Sequence, residues 1–190
     1  MAEPVPTPQM RRRPRGFETA GDMLRSLGVV LAAVAVILLI THRPHHAAIT
    51  VVDATQARQA AHAVAAFAAQ EPSGLNADWR LTSARFKPAA VSSTGTDLWH
   101  LGWVTPHDDY AALEQSDGAV APLVRSVVGD AARRTGDGTG RWAGWQVWSG
   151  TPSDWRVYVR PVGTSTLVVY GSASDEELGT LVSHLQPGLS

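Results

Sequence analysis

The chain has 190 residues, 44% of them apolar and 17% charged, with a formal net charge of −1. That balance belongs to a globular protein and lacks the basic surplus of a general nucleic-acid binder, so no nucleic-acid partner is expected. Cysteine is absent, which excludes disulfides, thiolate metal sites and cysteine nucleophiles together.

Residues 1–22 combine Pro4, Pro6, Pro8 and Pro14 with Arg11, Arg12, Arg13 and Arg15, and read as a disordered basic tail. From Met23 to Thr41 the chain turns apolar, with no charge between Arg25 and Arg43. Leu27, Val29, Val30, Leu31, Val34, Val36 and the run Ile37–Ile40 favour bilayer insertion by about 3 to 6 kcal/mol. A helix over 23–41 would be about 28 Å long, near the roughly 30 Å hydrocarbon core of a bilayer. The rival reading is a cleaved signal peptide, but Thr41 to Ala48 offers no small-x-small cleavage site. An uncleaved single-pass anchor is therefore expected. Arg11, Arg12, Arg13, Arg15 and Arg25 precede it and Arg43 alone closely follows, so the positive-inside rule puts the N-terminus in the cytoplasm. The basic tail then lies against anionic headgroups.

Residues 42–47 read as a linker, and 48–187 as an extracytoplasmic α+β domain. His42, His45 and His46 could attract zinc, copper or nickel, yet Pro44 and the lack of i, i+4 spacing leave no preorganised pair, so no metal is expected. Within the domain, β-branched Ile49–Val52 reads as a strand, Asp53 as an N-cap, and alanine-rich Thr55–Gln70 as a helix. Strands are expected at Arg80–Pro88, Asp97–Thr105 and Tyr110–Gln115. An amphipathic helix follows over Ala119–Arg133, its stripe made by Val120, Leu123, Val124, Val127, Val128 and Ala131. After the polar turn Thr135–Gly140 come strands at Trp142–Ser149, Trp155–Pro161 and Ser165–Gly171, close enough for an antiparallel meander. Ser174-Asp175-Glu176-Glu177 opens a last helix with capping-box spacing, and Pro187-Gly188 stops it. The expected architecture is one transmembrane helix and a mainly antiparallel sheet of about five to seven strands, with about three helices laid on one face.

Seven tryptophans are the most conspicuous candidates for binding. Trp99 and Trp103 share one face of their strand with Leu101. Core packing is one role for such residues. The other is an aromatic groove for a glycan, lipid or peptide, built on Trp99, Trp103, Trp145 and Trp148. The turn Pro106-His107-Asp108-Asp109 sets a histidine beside carboxylates, but no nucleophile or metal marks it. Ser116 lies between Glu114 and Asp117 without the G-x-S-x-G frame, and Gly136–Gly140 lacks the lysine and helix of a phosphate loop. No catalytic residue and no cofactor is assigned.

Trp79-Arg80-Leu81-Thr82-Ser83-Ala84-Arg85, Trp99-His100-Leu101-Gly102-Trp103-Val104-Thr105-Pro106 and Tyr110-Ala111-Ala112-Leu113-Glu114-Gln115-Ser116-Asp117 form a combined pattern. Together with the N-terminal anchor and the closing Ser174–Leu178 helix, it resembles the actinobacterial domain-of-unknown-function family 4245. The resemblance implies a single-pass membrane protein with an extracytoplasmic domain, and carries over no catalytic residues. The functional expectation is thus a non-enzymatic domain at the cell envelope, held to the lipid bilayer by its 23–41 helix and binding a lipid, glycan or protein. Two alternatives stand beside it: an envelope hydrolase using the His107–Asp109 region or Glu114, and an accessory subunit of a membrane complex.

Overall fold

Residues 16–41, 50–152 and 154–187 are described by the structure, a computed structural model, with side chains of the first helix described over 23–37. The chain divides into two compact units, 1–47 and 48–190. In the first, helix α1 covers Gly16–Thr41. It begins ahead of the expected span, inside the stretch expected to be disordered, because no proline interrupts the chain between Pro14 and Pro44. Its described side chains are exposed throughout, Met23 at 74% and Ile37 at 59%. Among the described residues, no helix is long and apolar enough to cross a membrane. The tail up to residue 15 and the 42–47 linker with His42, His45 and His46 lie outside the described residues.

The second unit is built on a seven-stranded, wholly antiparallel sheet. Its strands are β2 (Arg80–Lys87), β3 (Leu98–Val104), β4 (Tyr110–Ser116), β5 (Arg133–Asp137), β6 (Gln146–Ser149), β7 (Arg156–Val162) and β8 (Ser165–Gly171). Their spatial order is β2-β3-β4-β8-β7-β6-β5. Two meanders, β2–β4 and β5–β8, therefore meet through their last strands, with Leu113 opposite Val169. A separate ribbon pairs β1 (Gln70–Pro72) with β9 (Leu185–Pro187). Both strands are only three residues long, too short to show periodicity in the sequence.

Helices cover both faces of the sheet, not one as expected. On one face, α2 (Thr55–Val64) and α4 (Asp175–Ser183) bury Ala61, Leu178 and Leu181 with Trp99, Leu101, Leu113, Leu167 and Val169. On the other, α3 (Val120–Val128) packs Leu123, Val124 and Val128 on Val157, Val159, Val168 and Tyr170. The cause is visible in β8, where Leu167-Val168-Val169-Tyr170 is apolar on alternate positions of both kinds and all seven strand residues are buried. A strand apolar on both faces needs two covering layers.

Local chemistry explains the element ends. Ser174 caps α4 by accepting from Glu177 N, and Glu177 returns the bond to Ser174 N, completing the expected box. Asp53 accepts from Thr55 N at 2.8 Å but precedes the N-cap, which is Ala54 and not Asp53 as expected; α2 is ten residues long, shorter than expected. Gly129, at φ 77°, ends α3 well before Arg133. The expected strand at Ile49–Val52 has no ladder in its described part, since Val52 N only reaches Leu81 O. Trp142 belongs to a 3-10 turn, Gly140–Trp142, and the strand after it starts at Gln146. There the Trp142 ring stacks on Tyr158 at 3.6 Å between centroids.

Candidate functional site

A cavity of about 500 Å³ lies between α3 and the β2–β4 half of the sheet. Its floor arises from cross-strand register. Arg85 pairs with His100, and His100 with Glu114, so the three side chains stand on one face of three neighbouring strands. Leu98 and Ser116 extend that floor, while Pro122, Leu123 and Ser126 of α3 form the wall. Arg85 and Lys87 sit on β2, the edge strand, and both are exposed.

The rim opposite is the 88–97 loop. It is pinned by Asp97, whose carboxylate accepts from Ala89 N at 2.7 Å and Ala66 N at 2.9 Å. Asp117 in turn accepts from Asp97 N at 2.9 Å. With its base fixed, the loop carries a string of hydroxyls: Ser92 and Thr94 lie 2.8 Å apart, Thr94 and Thr96 2.8 Å, and Ser116 donates to Thr96 at 3.2 Å. Hydroxyls rotate to donate or accept, so this rim can meet either kind of polar group.

Beneath the cavity runs a buried polar chain. His100 Nδ1 is 2.6 Å from Glu114 Oε2, and His100 Nε2 is 2.8 Å from Ser83 Oγ. Tyr170 donates its hydroxyl to the same carboxylate oxygen at 3.3 Å. Burial pushes the Tyr170 phenol well above its ordinary range, helped by the Glu114 charge, so it stays a donor. Tyr110 lies beside it, its ring tilted against Trp155 at 5.6 Å and edge-on to Tyr170 at 6.3 Å between centroids. Among the described residues, no group of three or more His, Asp or Glu is placed to hold a metal ion.

The tryptophans named as a groove do not form one. Trp99, Trp103 and Trp145 are buried at 1%, 5% and 2% exposure in the core under α2 and α4, away from the cavity. Trp99 Nε1 donates to Gln70 O at 2.9 Å, and Arg160 covers the Trp145 ring at 4.8 Å. Trp148 belongs to the other face, half-buried in the α3 cluster. Alternation along β3 points Trp99 and Trp103 into the core under α2 and α4, where apolar burial claims them.

His107, Asp109 and Glu114 likewise fail to converge. His107 binds Glu177 at 2.9 Å, Asp109 accepts from Ser172 at 3.2 Å, and Glu114 holds His100. Burial works against the Glu177 charge, but hydrogen bonds from Thr105, His107 and Ser174 outweigh it and hold its carboxyl down at about 2. The hydrogen bond to Glu177 raises exposed His107 above 6.5. Glu177, with its lowered value, stabilises the fold above its ordinary 4.5 and stops doing so as pH falls toward about 2. His107, with its raised value, stabilises below 6.5 and stops as pH climbs through its folded value. Thermal unfolding followed across pH should therefore show a plateau from about 4.5 to 6.5, and His107→Asn should remove the fall on its alkaline side.

The family model described as Protein of unknown function (DUF4245) matches residues 15–185. The chain belongs to that family. No curated protein matches the chain significantly. The DUF4245 match runs through every strand of the sheet and through the residues of the cavity, so the polar floor is part of the family segment. Arg85, His100 and the loop hydroxyls escaped the sequence reading. Only strand register brings them together, although the alternation of His100 with Trp99 and Leu101 along β3 is present in the sequence.

Proposed function

We propose that the chain is a single-pass membrane protein whose extracytoplasmic domain binds a small amphipathic anion in the cavity between α3 and β2–β4. The observation that carries this reading is the cavity lining: Arg85 and Lys87 at the edge, a hydroxyl rim, and an apolar wall of Leu98, Pro122 and Leu123. Such a division suits a ligand with a carboxylate or phosphate head and an apolar body. The membrane part rests on sequence, on the apolar run and the arginine asymmetry around it. It is supported by the exposed apolar side chains Leu24, Leu27, Val30, Leu31 and Val34 of α1.

Titration calorimetry of the full chain in detergent with a medium-chain fatty acid tests the binding site. Binding is expected, weakened about tenfold or more by the double change Arg85→Gln, Lys87→Gln, and abolished by Leu123→Trp, which fills the cavity. Binding that survives both variants would place the ligand elsewhere. A reporter active only in the cytoplasm, fused to the C-terminus, should be silent.

A further inference from the structure

We propose that Ser83, His100 and Glu114 form a working hydroxyl–imidazole–carboxylate relay, which makes Ser83 Oγ a nucleophile toward carboxylic esters. The relay adds an activity to the binding domain and does not depend on which ligand fills the cavity. Its geometry comes from three adjacent strands, with Ser83 Oγ 2.8 Å from His100 Nε2 and His100 Nδ1 2.6 Å from Glu114 Oε2. An ionised carboxylate only accepts, so Glu114 fixes the hydrogen of His100 on Nδ1 and leaves the Nε2 lone pair facing the Ser83 hydroxyl. That is the arrangement a general base needs. His100 and Glu114 are 4% and 7% exposed, while Ser83 is half-buried. Tyr170 gives Glu114 a second donor and keeps the carboxylate aimed at the imidazole.

Gly102 makes room for this arrangement. A Cβ there would stand 2.5 Å from Ser83 Oγ and 2.9 Å from the Tyr110 hydroxyl, so the two hydroxyls converge only over a glycine. Tyr110 and Arg85, which lies two residues along the strand from Ser83 and pairs with His100, are the donors for a developing oxyanion. In the first step Ser83 Oγ bonds to the acyl carbon as its proton passes to His100 Nε2. The carbon–oxygen bond to the alcohol then breaks, and the alcohol leaves with that proton. Water next adds to the acyl-serine, giving a proton to His100 Nε2, and that proton returns to Ser83 Oγ as the carboxylic acid departs. Ser83 and His100 are the reacting groups, and Glu114 is a positioning residue.

Incubation of the full chain with a fluorophosphonate probe, followed by peptide mass spectrometry, tests the relay directly. The expected result is phosphonylation at Ser83, slowed at least about 100-fold in His100→Gln of unchanged circular dichroism. Hydrolysis of 4-nitrophenyl butyrate should be lost in Ser83→Ala, and Glu114→Gln should lower kcat while leaving KM unchanged. A folded wild-type chain that leaves Ser83 unlabelled under excess probe overturns the proposal. So does labelling indifferent to His100→Gln. Wild-type labelling needs no variant to fold, and fatty-acid binding by a chain whose Ser83 stays unlabelled separates a failed relay from a failed binding site.

Discussion

Trp99→Ala is expected to destabilise the domain by about 3 to 5 kcal/mol, which is most of the stability of a marginal fold. The indole is 1% exposed, packed among Leu101, Leu113, Leu167 and the helices α2 and α4. Alanine removes that apolar area and leaves a hole that close-packed strands on one side and helices on the other can only partly close. It also strands Gln70 O, which accepts the indole N–H at 2.9 Å. Urea unfolding followed by far-ultraviolet circular dichroism should show the midpoint falling sharply. Trp148→Ala, at a half-buried ring, should move it much less. Equal effects from the two would contradict the burial described for them.

Gly171→Ala should be nearly as damaging, by about 3 kcal/mol or more, for a backbone reason. Gly171 has φ 151° and pairs with Ala111 where the two meanders join. A Cβ on it would sit 2.0 Å from Tyr110 O and 2.8 Å from Tyr110 C, both backbone atoms that no rotamer change can move. The same carbonyl accepts from Ala173 N at 3.0 Å, so the strand end and the approach to α4 would shift together. Loss of folded protein at the growth temperature, or a midpoint lowered well beyond that of Gly136→Ala, is the expected readout; Gly136 has open space at its Cβ and no left-handed φ.

The elements legible in the sequence are those with long, one-sided patterns. Val120, Leu123, Val124 and Val128 mark α3, and Ser174 with Glu177 marks the start of α4. β8 was bounded correctly because Ser165–Gly171 is flanked by short turns. β5 was not: Arg133-Arg134-Thr135-Gly136-Asp137 is exposed at every position and is held only by its ladder to β6. A strand without a buried face leaves no periodic trace. The second covering layer was missed for a related reason. Apolar runs in β4 and β8 were read as strands, but the faces they offer become countable only when the order β4-β8 is known. The candidate site depends on the same information. Ser83, His100 and Glu114 are scattered in sequence, and register alone aligns them. The tryptophans drew attention by chemistry, yet their alternation with Leu101 already fitted a core face.

The meeting of the two meanders has a consequence for how the chain is made. β2, β3 and β4 are neighbours in sequence and can pair soon after they emerge during synthesis. The partner of β4 on its other side is β8, joined through contacts such as Ala111 with Gly171, and the β1 ribbon waits still longer for Pro187. Until β8 arrives, the growing chain carries a bare strand edge through Leu113, flanked by apolar surface that nothing yet covers. The nascent protein is most open to mispairing during that interval, and the interval closes only with the final strands.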